Sequence, residues 1–281
     1  MLAWGILIGL YLALGVAGAL ILAPTTVIGQ DLATYQAAGA RLWAGEDPYG
    51  GQAGLGADYL YRYPPLLAMV IPIIGWPPLW FGLLAAATAY SIWLWYRTAG
   101  LPGLLVPALL IGAWGQQLLN GNSQALVVFL LAITPLQARV GPWALALATM
   151  LKIHPVIGLV WFLGRRDLRS VAAYLVACAV LLIVQAPWLG DFFRFYLDDP
   201  ASTEVVPGLS LRAFGIVVWV AGIVVVLAAA WRFAGSRFGW MLATIAQLVV
   251  LPRVLLVNLG LLLAAPIPPK QPPAGAPPEP R

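Results

Sequence analysis

The sequence predicts an all-α, multi-pass membrane protein, on three observations. Of its 281 residues, 62% are hydrophobic and only 9% charged, and the mean hydropathy is +0.90. A soluble domain carries roughly 25% charged residues, and a chain of this length has too much surface to hide so much apolar material. Second, apolar runs recur along the chain from Leu2 to Ala265, with two longer polar segments between them. Third, Arg residues gather in short loops at the ends of those runs, as they do on the cytoplasmic side of membranes. The net charge of +5 is therefore part of the membrane signature, and no nucleic-acid partner is expected.

The elements follow in order. Leu2–Ala23 is uncharged, and no Lys or Arg precedes Arg41. A cleaved signal would show a basic start and a shorter apolar core, so the run predicts an uncleaved first transmembrane helix. Further apolar runs fall at 65–75, 78–96, 103–119, 121–136, 142–164, 170–188, 211–231, 239–251 and 253–266. Together they predict a bundle of roughly 9–11 transmembrane or re-entrant helices, some shorter than the roughly 20 residues a full span needs. Breaks are expected at Gly75–Pro78, at Asn120–Asn122 and at Lys152–Pro155. Broken helices at membrane depth are tolerated where they are buried or line a wet cavity, so these breaks point to an internal polar site. Residues 1–266 read as one membrane domain, and 267–281 as an extended, disordered tail rich in Pro.

Orientation comes from charge. Arg165, Arg166 and Arg169 mark one cytoplasmic loop and Arg232 with Arg237 a second. The 189–210 segment between them carries Asp191, Asp198, Asp199 and Glu204 against Arg194, and belongs on the other side. The 25–64 segment, with Asp31, Glu46, Asp47 and Asp58 against Arg41 and Arg62, is placed outside too. The protein is thus expected in the cell membrane among its lipids, with polar loops facing out.

That outer segment has internal order. Leu32, Tyr35, Gly39, Leu42 and Trp43 fall on one helical face, and Gly45 ends the helix. Such an amphipathic helix would lie flat on the membrane, apolar face down. Asp31, at its first position, reads as an N-cap, or as a carboxylate held where a lipid head group presents its reactive bond. Glu46 and Asp47 read as turn formers, and Asp198 and Asp199 as solvated loop charges. Lys152 and His154 interrupt an apolar run; ionisable residues at that depth are costly and usually functional, unless the Lys snorkels to an interface. His154 is the single histidine and Cys178 the single cysteine, so a His-rich metal site and an internal disulfide are both excluded. Cys178 reads as an inert buried thiol. No HExxH, GxSxG, Walker A or GxGxxG pattern supplies another chemistry. Neither a metal nor another cofactor is expected. Gly121-Asn122-Ser123-Gln124 is either a tight turn or a set of sugar-hydroxyl partners.

The order of these pieces is Asp31 and Tyr35, then Gly45-Glu46-Asp47-Pro48-Tyr49, then Tyr61-Arg62-Tyr63-Pro64-Pro65-Leu66, then Gly121–Gln124 and Leu151-Lys152-Ile153-His154-Pro155. Over roughly residues 1–170 this resembles glycosyltransferase family 87, the polyprenol-phosphate-mannose-dependent mannosyltransferases of the GT-C superfamily. The resemblance implies a GT-C-like helical enzyme with an extracytoplasmic site. Such an enzyme moves a sugar, mannose in this family, from a polyprenyl-phosphate carrier to a lipid or glycan hydroxyl with inversion. It implies Asp31 as the catalytic base and Lys152, His154 and Arg62 as partners of the donor phosphate. Tyr35, Asp47, Tyr49, Tyr63, Asn122, Gln124 and Arg253 become candidate substrate contacts. The chain departs from the family in having no histidine after His154; the 249–258 stretch occupies the corresponding place, with Arg253 and Asn258 as its polar residues. Two other readings stay open at this point: a transporter or lipid flippase, which also uses broken helices and midplane polar groups, and a non-catalytic shortened homologue.

The charge pattern makes a direct prediction. Cysteines introduced at Leu168 and Thr203 should label from opposite sides of the membrane, Leu168 from the inside; labelling of both from one side would refute the orientation.

Overall fold

The computed structural model describes residues 2–22, 27–50, 60–198, 210–251, 254 and 256–266. Among these every regular element is a helix. The tail 267–281, Arg253, Asp58 and Asp199 lie outside the described residues. The helices are α1 Leu2–Leu22, α2 Gln30–Trp43, α3 Pro65–Ile74, α4 Pro77–Ala99, α5 Leu105–Leu109, α6 Ile111–Asn120 and α7 Gln124–Ile133. They continue with α8 Gly141–Leu151, α9 Leu159–Gly164, α10 Leu168–Asp198, α11 Ile216–Arg232 and α12 Gly239–Val250. Short 3₁₀ segments run over His154–Gly158, Leu211–Phe214 and Leu256–Ala264.

Two described helices, Pro77–Ala99 and Leu168–Leu197, are long and apolar enough to cross a membrane, which places the protein at one. Leu101–Leu109 with Ile111–Asn120 would make a third as one span bent by 61°. Helix α1 is a further apolar helix of 21 residues, and six apolar helices of 10–17 residues have the length of the shorter or re-entrant segments expected among the runs. The reason is local: all three expected breaks form. Gly75 ends α3 before Pro77, Gly121 ends α6 with φ 70°, and Lys152 leaves α8 in an extended conformation.

Broken helices expose carbonyls that hydrocarbon cannot solvate. Tryptophans meet several of them. Trp80 donates its indole N–H to Gly121 O at 2.8 Å, Trp95 to Leu263 O at 3.0 Å and Trp240 to Ala264 O at 2.8 Å. These three rings are buried, so they pack as core and pin irregular backbone at once.

Two segments differ from expectation. Helix α2 forms where the periodicity places it, but its apolar face does not lie on a lipid surface. Leu32, Tyr35, Ala38, Gly39 and Leu42 are buried in the protein. A Cβ on Gly39 would meet Ala68 O of α3 at 2.9 Å, so Gly39 is what lets the two helices close up. Trp43 is exposed on this helix and donates to Met69 O. Helix α10 runs on through Pro187 into the segment read as the start of an outer loop. Its extension carries aromatic residues that find a partner: Tyr49 stacks on Phe195 at 5.3 Å and meets Phe192 at 5.9 Å. Asp191 and Arg194 therefore sit on a helix, 3.7 Å apart.

The turn before α10 is held by one carboxylate. Arg166 adopts a left-handed φ of 57°, and Asp167 N–H returns to Phe162 O at 3.0 Å, closing α9. Asp167 then caps α10, accepting from Ser170 N at 3.1 Å and from Ser170 Oγ at 2.6 Å. The Ser170 hydroxyl holds the Asp167 carboxyl below its ordinary value. A depressed carboxyl stabilises the fold fully above the unfolded value of about 3.9 and loses that contribution as pH falls through the folded one. Asp167→Ala should cost about 1 kcal/mol in thermal unfolding at pH 7. The difference from the parent should shrink as pH falls below about 4.

Candidate functional site

The site is assembled where two helix breaks meet the start of α2. Gly29, with φ 74°, is the residue that caps α2, and its N–H donates to Leu119 O of α6 at 2.8 Å. This corrects the N-cap reading of Asp31, which lies inside the first turn of the helix. The bond to Leu119 sets that turn against the Asn120–Asn122 break, and Gly121 completes the approach. A Cβ there would come within 3.0 Å of the Leu32 Cβ, and its left-handed φ would be strained for any other residue.

Asn122 joins the charged groups of the site. Its Oδ1 accepts from Lys152 Nζ at 3.0 Å and from Gln124 N–H at 2.8 Å. Both partners can only donate, so the amide orientation is determined and Nδ2 must face the other way. There it donates to Asp31 Oδ2 at 2.7 Å. Asp31 and Lys152, from α2 and from the break after α8, are thus joined through one amide. Lys152 Nζ also lies 5.0 Å from the Tyr63 ring centroid, a cation–π contact. Tyr63 meets Tyr35 edge-to-face at 5.1 Å, and the two share a hydroxyl contact. Tyr35 OH in turn accepts from Ser123 N–H at 3.3 Å. Burial, with Asp31 adding to it, pushes the Tyr35 and Tyr63 hydroxyls above their ordinary value, so both remain protonated at neutral pH.

A cavity of about 500 Å³ opens beside this network. Its walls include Arg62, Tyr63, Lys152, His154, Arg212 and Tyr196. Two guanidiniums and an ammonium face one space whose described lining holds no acidic residue, an arrangement suited to an anion. Asp31 is half-buried behind this wall, linked to it through Asn122 and Lys152. Among the described residues no three of His, Cys, Asp and Glu come together.

The sequence candidates therefore separate. Arg62, Tyr63, Lys152 and His154 share the cavity, and Asn122 and Asp31 stand directly behind it. Tyr35 is fully buried in the network's support. Tyr49 packs against α10 and donates its hydroxyl to Tyr63 O at 2.8 Å, so it braces the Tyr63 strand of chain. Asp47 is exposed and accepts from Tyr49 N–H at 2.9 Å, as a turn former does. Gln124 is wholly buried and neither of its amide atoms has a hydrogen-bond partner. Arg253 lies outside the described residues. Arg212 is the residue that sequence reasoning missed. It sits in the 3₁₀ turn before α11, with its guanidinium 5.5 Å from the Trp219 ring centroid. Its signal was available: a lone Arg heads an apolar run at the end opposite the basic loops.

The fold and site thus define a helical membrane protein with an anion-suited cavity backed by a carboxylate. Comparison with protein-family models, with curated proteins and with solved structures finds no match. Asn122→Leu should disconnect Asp31 from Lys152 and leave both without that partner. We expect a loss of about 1–3 kcal/mol in thermal stability, and unchanged stability would show that the bridge contributes nothing to the fold.

Proposed function

We propose that this protein is a membrane glycosyltransferase that moves a sugar, mannose by its resemblance to family 87, from a polyprenyl-phosphate carrier to a lipid or glycan hydroxyl on the extracytoplasmic face. The observation that carries the reading is the pairing of a cation-lined cavity with a carboxylate one amide away. In this reading the donor phosphate lies among Arg62, Lys152 and Arg212. The bond from the sugar's anomeric carbon to the phosphate oxygen breaks, and its electron pair leaves on the phosphate. The acceptor oxygen attacks the opposite face of that carbon and its proton passes to Asp31. The cations stabilise the charge that develops on the leaving group, and Asp31 supplies general-base catalysis.

The surroundings support the roles. Asn122 donates to Asp31 Oδ2 at 2.7 Å and so fixes where the carboxylate points. A second cleft of about 600 Å³ is walled by Leu12, Val16, Leu20, Phe81 and Leu118 and reaches Ile28, beside the start of α2. A lipid acceptor's hydrocarbon chain would lie there, with its hydroxyl toward Asp31.

The test is transfer from a mannosyl polyprenyl phosphate by the purified full chain. Asp31→Asn keeps the size of the side chain, and its Oδ1 can still accept from Asn122, so the fold should survive. Its rate should fall by about 100-fold or more, the usual scale for a general base. Lys152→Met should weaken donor binding, and it should lower thermal stability as well, because Asn122 Oδ1 loses a donor and the half-buried Asp31 loses the cation bridged to it. Transfer at the parent rate by Asp31→Asn would refute the assignment. If the variants instead alter lipid movement between leaflets while no transfer is seen in the parent, a flippase replaces this reading.

A further inference from the structure

Away from the cavity, two basic loops meet in a patch that the transferase reading leaves unused. One loop, 165–169, joins α9 to α10, and the other, 233–238, joins α11 to α12. Tyr196 and Trp219 line the cavity from α10 and α11. The basic ends of those helices, Leu168 and Arg232, lie roughly 42 Å and roughly 20 Å further along them at 1.5 Å per residue. The two loops pack directly on one another. A Cβ on Gly164 would meet Ala234 Cβ at 2.6 Å and Trp231 O at 2.7 Å, so glycine is what lets the end of α9 close onto the end of α11.

The patch is basic and apolar at once. Arg165, Arg166, Arg169, Arg232 and Arg237 are all exposed. The one acid in these loops, Asp167, is turned to Ser170, whose N–H and hydroxyl it accepts. Three of the guanidiniums lie against aromatic rings: Arg165 is 4.7 Å from the Trp161 centroid, Arg237 4.6 Å from Phe238 and Arg232 5.8 Å from Phe233. A ring contact steadies a guanidinium without taking up the N–H donors that match the oxygens of a phosphate. Between the charges, Leu168, Trp231, Phe233 and Phe238 are exposed.

We propose that the two packed loops form a binding surface for anionic phospholipids of the adjoining leaflet, the cytoplasmic one by the charge bias. The arginines hold the head-group phosphates, and the exposed aromatic and aliphatic side chains enter the start of the acyl layer. The occupant follows from charge and from place. Five arginines against one carboxylate attract an anion. Leu168 begins a helix long and apolar enough to cross a membrane, so the loops on either side of it lie at the level of the head groups. Basic residues interleaved with Trp, Phe and Leu are the composition that binds an anionic lipid surface, by attraction and by apolar burial together. The surface is independent of the sugar-transfer reading, because it shares no residue with the cavity.

The experiment measures displacement of a tail-labelled phosphatidylglycerol from the purified full chain in neutral detergent, by unlabelled phosphatidylglycerol or by phosphatidylcholine with the same acyl chains. The parent should favour phosphatidylglycerol by about 10-fold or more at low salt. About 1 M salt, where the Debye length is about 3 Å, should remove most of that preference. Arg169→Gln, Arg232→Gln and Arg237→Gln alter exposed side chains and should fold as the parent does. Each should weaken phosphatidylglycerol by about fivefold and leave phosphatidylcholine unchanged. Arg194→Gln makes the same charge change near the other end of α10, where Arg194 pairs with Asp191, and should leave both lipids as in the parent. If the parent shows no preference, or if the three loop variants keep it, the inference is overturned. Loss of the preference in Arg212→Gln alone would place the lipid in the cavity and overturn it too. Polyglutamate carries the charge without acyl chains and should displace the label poorly; displacement as effective as by phosphatidylglycerol would make the partner an acidic peptide and sink the lipid assignment.

Discussion

Much of the site's geometry depends on the Asn122 amide. It sits at the end of a broken helix, and its two faces bond groups of opposite charge from distant parts of the chain. Neither Asp31 nor Lys152 could be kept at this depth alone without a large desolvation cost. A direct ion pair would bring them together but would tie up the carboxylate in a strong contact with the ammonium. An interposed amide satisfies both while keeping the two charges apart. The arrangement holds only if α2, the end of α6 and the end of α8 arrive at one place. The left-handed glycines at 29 and 121 and the indole of Trp80 are what bring the first two together.

The breaks that shorten the helices are therefore also what build the site. Each interruption frees backbone groups that must be answered inside the protein. Buried tryptophans answer some with indole N–H donors, and Gln185 of α10 answers another by accepting from Leu66 N–H at 2.8 Å. The result is a scaffold in which irregular backbone is pinned by side chains rather than by neighbouring helices alone. That rigidity matters for a cavity whose polar groups must stay within hydrogen-bond reach of a ligand.

Charge is distributed to match. Cations face the cavity and the carboxylate stands behind them, so an anion entering meets attraction before it meets Asp31. Tyr63 lies between the two populations, its ring under Lys152 and its hydroxyl toward Tyr35. Tyr49 holds that segment from the other side by bonding the Tyr63 carbonyl. The aromatic cluster of Tyr35, Tyr49, Tyr61 and Tyr63 is thus a frame for the site's edge. This explains why Tyr49 and Tyr61 stand beside Tyr63 without lining the cavity.

The sequence alone determined the helical class, the membrane setting and the positions of the three breaks. Hydropathy, Gly and Pro act locally, so a reader of the chain can follow them. It also singled out Lys152, His154 and Asp31, because a charge within or beside an apolar run is conspicuous. A break divides a run into helices too short to cross, so composition alone does not say which runs become full spans and which become re-entrant segments. The end of α10 was misread because Phe192 and Phe195 find their partner in Tyr49, far away in the chain. Tertiary structure alone decided that the apolar face of α2 packs on protein instead of lipid. It also decided that Asn122 bridges two charges, and that Arg212 joins Arg62 and Lys152 at the cavity. Those facts depend on contacts between residues tens of positions apart, and long-range contacts leave no periodic trace in the chain that makes them.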